Sequence, residues 1–104
     1  MNPWITLAIA GLLEVVWAVG LKYSEGFTRL VPSVVTVVTV VISFLMLANA
    51  MRALPVGTAY AVWSGIGALG TMIYAAMFFT EPLNLMHGLG VVLIVAGIAA
   101  LKIA

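Results

Sequence analysis

Glu14 is the single acid within residues 1–21, a stretch otherwise apolar, and it falls close to the centre of the helix that this stretch predicts. An ionised side chain at that depth in a bilayer is unfavourable by on the order of 3 kcal/mol, and protonation or a bound cation removes that cost. Such a group can hold a proton at one moment and a cation at the next, which is the property an ion exchanger requires. A buried acid can also serve only as a polar contact between helices. No basic residue lies in the interior of any predicted span to pair with it, since Lys22 and Lys102 stand at span ends, so function is the reading taken. Residues three or four positions away are Ala10, Gly11, Trp17 and Ala18, three small side chains and one indole donor. Small residues permit close helix approach or leave a cavity, so this face points into protein.

Groups able to complete a site recur at helical spacing. Trp17 lies one turn from Glu14, and Tyr60 and Trp63 pair on the third helix beside Ser64, Gly65 and Gly67. Indole, phenol and hydroxyl groups donate hydrogen bonds that orient a carboxylate, and aromatic faces attract a desolvated cation by about 2 kcal/mol. Tyr60 and Trp63 fit an interfacial aromatic belt equally well, since they begin only a few residues into their helix. Ser43 sits mid-way along the second helix, where a hydroxyl usually bonds a carbonyl one turn back. Asn49 suits a helix contact or, being near a loop, interfacial solvation. His87 reads as an interfacial side chain, and Lys102 as one that snorkels to the headgroups. Gly57, Ala61 and Gly65 keep a four-residue spacing; Gly90 and Gly97, with Ala96 and Ala100 nearby, are candidates for packing between copies of the chain. The glycine enrichment usual in membrane helices produces similar spacings. Gly65 and Gly67 are hinge candidates.

The elements that must position these groups follow from composition. The chain has 104 residues, 65% hydrophobic and 7% charged, whereas about a quarter of a soluble domain is charged. A net charge of +1 offers no field for nucleic acid, and the absence of cysteine excludes thiol chemistry and disulfide scaffolds. Neither a cofactor nor a bound metal is expected. Glu14, Lys22, Glu25, Arg29, Arg52, Glu81 and Lys102 are the only charges, and the gaps between them bound four apolar spans. Turn chemistry at Ser24-Glu25-Gly26, Leu54-Pro55-Val56-Gly57 and Thr80-Glu81-Pro82 agrees. The predicted helices are 3 to 22, 30 to 51, 56 to 79 and 84 to 103, one four-helix transmembrane unit. The start, Met1-Asn2-Pro3-Trp4, lacks the basic region of a cleaved signal, so the first helix is expected to be retained. No alternating segments suggest a barrel.

Four spans place both termini and the second loop on one side, with Arg52 and Lys102; the first and third loops contribute Lys22 and Arg29 to the other. The basic residues therefore balance, and the positive-inside rule gives no orientation. So few charges leave lipid or the terminal amine free to decide; insertion in both orientations is the sharper reading, and the one taken. Four helices are also few to enclose a cavity and a moving gate. A homodimer would supply eight and bring two Glu14 side chains together.

Several runs carry a likeness to known sequences: Gly11-Leu12-Leu13-Glu14-Val15-Val16-Trp17-Ala18, Leu21-Lys22-Tyr23, Gly26-Phe27-Thr28-Arg29-Leu30 and Pro32-Ser33. The most specific is Leu54-Pro55-Val56-Gly57-Thr58-Ala59-Tyr60-Ala61-Val62-Trp63-Ser64-Gly65-Ile66-Gly67. On these residues the whole chain resembles the small multidrug resistance family. The resemblance implies an antiparallel, dual-topology homodimer in a bacterial inner (plasma) membrane, crossing it several times and exchanging inward-open and outward-open roles. Trp17 after Glu14, and Lys102 ending the last helix, look like the guanidinium-exporting subtype. By the same resemblance Glu14 would bind substrate or proton, Trp17, Ser43 and Tyr60 would hold that carboxylate, and Trp63 would line the cavity. The Met1-Asn2-Pro3 start and Ser24-Glu25-Gly26 look closer to the multidrug branch. The expected activity is therefore proton-coupled export of guanidinium and related small cations, with no enzymatic step. A broad exporter of hydrophobic or quaternary ammonium cations, and a non-transporting subunit that needs a paralogous partner, are the alternatives. Guanidinium engages a carboxylate through two parallel hydrogen bonds, which a quaternary ammonium cannot do.

Overall fold

The computed structural model describes residues 2–104; Met1, which opens the Met1-Asn2-Pro3 motif, lies outside the described residues. Four helices follow in chain order: α1 Pro3–Tyr23, α2 Leu30–Ala50, α3 Val56–Phe78 and α4 Leu85–Ile103. Each differs from the range read off the sequence by one residue at one end. All four are long and apolar enough to cross a membrane. The 21 residues of α1 rise about 31 Å, which matches a hydrocarbon core of about 30 Å.

Local chemistry sets the ends. Pro3 occupies the first turn of α1, where its missing N–H would have been unsatisfied in any case, and the Asn2 side chain accepts from the Trp4 backbone N–H at 2.8 Å. After α1, the Ser24 hydroxyl donates to the Leu21 carbonyl at 2.7 Å and accepts from the Phe27 N–H at 3.1 Å. The chain then turns through left-handed backbone at Glu25, Gly26 and Phe27. Pro55 stands immediately before α3. At α4, Asn84 and His87 form a reciprocal capping box: the Asn84 side chain accepts from the His87 N–H at 3.0 Å, and the Asn84 N–H donates to the His87 imidazole at 3.1 Å. Asn84→Ala is expected to destabilise that helix start by about 1 kcal/mol. Faster amide hydrogen exchange confined to the first turn of α4 would check this.

α1 lies between α2 and α3 and makes most of the interhelical contact; the backbone of α4 approaches α3 alone. The core forms where the beginning of α1 meets the end of α2 and the beginning of α3, from Leu7, Ala10, Leu47, Ala59, Val62 and Trp63. Close approach there depends on small residues. A Cβ on Gly11 would lie 2.6 Å from Ile66 Cγ2, and one on Gly20 would collide with the Thr36 hydroxyl. None of α4 is buried, and large side chains such as Leu85, Leu89, Val92 and Ile103 are exposed.

Two cation–π contacts tie opposite ends of the helices. Lys102 Nζ lies 5.3 Å from the Trp4 ring, and Lys22 Nζ lies 5.2 Å from the Phe79 ring. The first brings the two chain ends together. The second joins the end of α1 to the end of α3.

Candidate functional site

Glu14 stands mid-way along α1, partly buried, against α3 at Gly67, where α3 presents no side chain. A Cβ built on Gly67 would lie 2.5 Å from the Glu14 carboxyl carbon and 2.6 Å from both Cβ and Oε2. Only hydrogen at position 67 leaves room for the carboxylate. Sequence reading offered Gly67 as a hinge. α3 runs as a continuous helix through both hinge candidates, Gly65 and Gly67; Gly67 also seats the acid, and a Cβ on Gly65 would lie 3.0 Å from Ile98 Cδ1 of α4.

Among the described residues, two buried side-chain atoms lack a hydrogen-bond partner: Glu14 Oε1 and Trp17 Nε1. An acceptor and a donor left unsatisfied one turn apart on the same helix are each unfavourable by about 1–3 kcal/mol unless something outside the chain meets them. The carboxylate forms the floor of a cavity of about 440 Å³. Its walls are Ala18 from α1 and Ser64, Ala68 and Thr71 from α3, with Glu81 and His87 at the loop end. A larger, almost wholly apolar hollow of about 660 Å³ runs along Val15, Val19, Val35 and Tyr74. It contains no carboxylate, so proton and cation cannot compete there.

Ser43, Trp63 and Tyr60 form a second cluster. The Ser43 hydroxyl donates to the Ala10 carbonyl of α1 at 2.8 Å and accepts from Trp63 Nε1 at 3.0 Å. This differs from the bond to a carbonyl one turn back expected for a mid-helix serine, and the buried crossing of α2 over α1 is the reason. Trp63 is held further by Phe44, edge-on at 5.6 Å, and by the Tyr60 ring at 5.5 Å. Tyr60 itself is 57% exposed. Within one chain the Ser43 proton is committed to Ala10, and no hydrogen bond from Trp17, Ser43 or Tyr60 reaches the carboxylate. The two clusters are nevertheless adjacent. Ala10 precedes Glu14 by one turn of α1 and Trp63 precedes Gly67 by one turn of α3, a displacement of about 5.4 Å.

Gly90 and Gly97 have open space where a Cβ would stand. The exposed His87 ring caps α4 and also lines the cavity mouth. In the sequence Ser64 stands out only as a neighbour of the aromatic pair, and neither Thr71 nor Glu81 stands out as part of a site. Their signal was the spacing of Ser64, Gly67 and Thr71 along one face of α3, which becomes informative once Gly67 is known to meet Glu14.

Residues 2–94 match the family model described as Small Multidrug Resistance protein. The chain is 57% identical over 101 residues to a guanidinium exporter of Escherichia coli (strain K12), an overlap of 97% of this chain and 96% of that protein. It is 54% identical to a guanidinium exporter of Proteus vulgaris, covering 97% of each, and 56% identical to one of Yersinia pseudotuberculosis over 97% of each. With four membrane-spanning helices, one acid seated between two of them and likeness along its whole length, the chain belongs to the small multidrug resistance family, whose members are membrane transporters and not enzymes.

Proposed function

We propose that this chain is a proton-coupled antiporter of the bacterial inner membrane that exports guanidinium and small guanidinyl cations. The observation that carries the reading is the Glu14 carboxylate, seated on Gly67 with Oε1 buried and unpartnered at the floor of a cavity. Full-length likeness to proteins named guanidinium exporters supplies the substrate. Glu14 accepts a proton or forms paired N–H···O bonds to a planar guanidinium, and one occupant excludes the other. Because occupancy is exclusive, a proton gradient drives the cation uphill when each occupant favours opening to one side. Trp17, with its free indole N–H one turn away, orients the carboxylate in the assembled site, while Ser43, Tyr60 and Trp63, which cluster about one helical turn from it in the single chain, complete that site.

The working unit in this proposal is an antiparallel homodimer with two Glu14 groups. Support comes from α4, which buries no residue in the single chain and leaves Gly90 and Gly97 open to a second helix. The balance of Lys and Arg between the two sides supports insertion in both orientations.

The test is guanidinium-driven proton flux in liposomes containing this chain alone. Saturable flux that exceeds the flux driven by tetraalkylammonium or polyaromatic cations by at least about tenfold is the expected result, since that ratio corresponds to roughly 1.4 kcal/mol of carboxylate recognition. Comparable flux with bulky aromatic cations would establish broad specificity instead. Flux appearing only after a paralogous chain is added would make this protein one half of a heteromer.

A further inference from the structure

The cavity that begins at Glu14 extends past the group expected to hold a guanidinium. Along α3 its wall is built from Ser64, Gly67, Ala68 and Thr71, which recur every three or four residues and so share one face. Thr71 lies four residues beyond Gly67, about 6 Å further along the helix axis. Beyond it come Ala75 and then Glu81, whose backbone N–H donates to the Ala75 carbonyl at 3.3 Å. The cavity thus has a carboxylate at its floor, a hydroxyl one turn away, and an exposed acid and imidazole at its mouth.

Thr71 also differs from the threonines of α2. Thr36 donates to the Pro32 carbonyl and Thr39 to the Val35 carbonyl, both at 2.7 Å, which satisfies each hydroxyl within its own helix. No such bond engages Thr71 among the described residues. Its hydroxyl, on a partly buried side chain in the cavity wall, is free both to donate and to accept.

We infer that Thr71 is a specificity-determining residue: its hydroxyl receives a hydrogen-bonding group on the substituent of a guanidinyl cation whose head is bound at Glu14. The assignment rests on the export reading above and deepens it by naming a substrate class, guanidinyl cations with a polar group one helical turn from the charged head. A butyl linker covers that rise of about 6 Å. Glu81 and His87 stand further out in exposed positions and meet only longer substituents. A site built around a hydroxyl discriminates against an analogue that lacks the matching polar group, because the hydroxyl is then left unpaired in a partly dehydrated wall.

The probes are hydroxybutylguanidinium and pentylguanidinium, which have the same number of heavy atoms and differ in a terminal hydroxyl against a methyl. Proton flux driven by each is measured in liposomes containing the full chain, alongside flux driven by guanidinium. Removing one such hydrogen bond is worth up to about tenfold. Thr71→Val should therefore raise the ratio of the hydroxybutyl KM to the pentyl KM by about fivefold to tenfold. Thr71→Ala, which removes the hydroxyl without adding bulk, should shift the ratio in the same direction, and Thr71→Ser should return it to the original value. A ratio that does not move, or two KM values that rise together, overturns the assignment. Loss of guanidinium flux in the unmodified chain overturns the export reading itself, whereas guanidinium flux with an unmoved ratio overturns only the role of Thr71.

Discussion

Glu14→Gln is expected to abolish proton-coupled guanidinium flux, lowering it by at least about a hundredfold, while leaving assembly in detergent unchanged. The substitution keeps the shape that fits against Gly67 and removes both the titrating proton and the full negative charge. An amide cannot make charge-assisted paired hydrogen bonds to a guanidinium, and such bonds are roughly twice as strong as neutral ones. Without proton exchange at position 14 no competition remains between the two cargoes, so residual cation movement should be indifferent to the pH gradient. Flux measured with and without that gradient, together with the mass of the purified assembly, checks both halves of the expectation. Loss of assembly with Glu14→Gln would assign the acid to helix contact instead.

Gly67→Ala should be nearly as damaging, although it adds one methyl group far smaller than the cavity. A Cβ at position 67 would lie 2.6 Å from Glu14 Cβ as well as from Oε2, so rotating the carboxylate away does not relieve the clash. Either α1 moves off α3 or the acid leaves its seat. Overpacking of this kind destabilises by about 1–3 kcal/mol, and misplacement of a reacting group by about 1 Å can lower a rate by on the order of a hundredfold. Two controls separate the causes. Gly11→Ala creates a similar overlap, with Ile66 at 2.6 Å, in the same α1–α3 contact but one turn from the carboxylate. It should reduce stability comparably and flux much less. Gly65→Ala meets the flexible end of Ile98 at 3.0 Å, with Ile94 at an ordinary 3.4 Å, and should be mild. Equal damage from Gly65→Ala and Gly67→Ala would point to hinge motion in α3 as the common cause.

Much of this architecture is legible in the sequence, for a plain physical reason. In a chain with seven charges, Lys22, Arg29, Arg52 and Glu81 must stay near water, so they mark the ends of the apolar segments. Glu14 stood out because it breaks that rule. Relationships between helices were not legible. The usual habit of a helical serine predicts a bond within α2, and only the packing of α2 on α1 brings the Ala10 carbonyl to Ser43. The pairing of Gly67 with Glu14 depends on which turn of α1 crosses which turn of α3, a register that hydrophobic periodicity does not encode when every face is apolar. The Asn84–His87 box is not legible in the sequence because histidine is not the Glu or Gln that marks such a box.

That the backbone of the fourth helix approaches only the third has an evolutionary corollary. Most of its outer surface touches neither the acid nor the wall opposite it, so in the proposed homodimer substitutions there would alter which copies recognise each other without altering what is carried. Lineages can diversify partner choice and cargo on separate stretches of one short gene, with little cross-talk between the two.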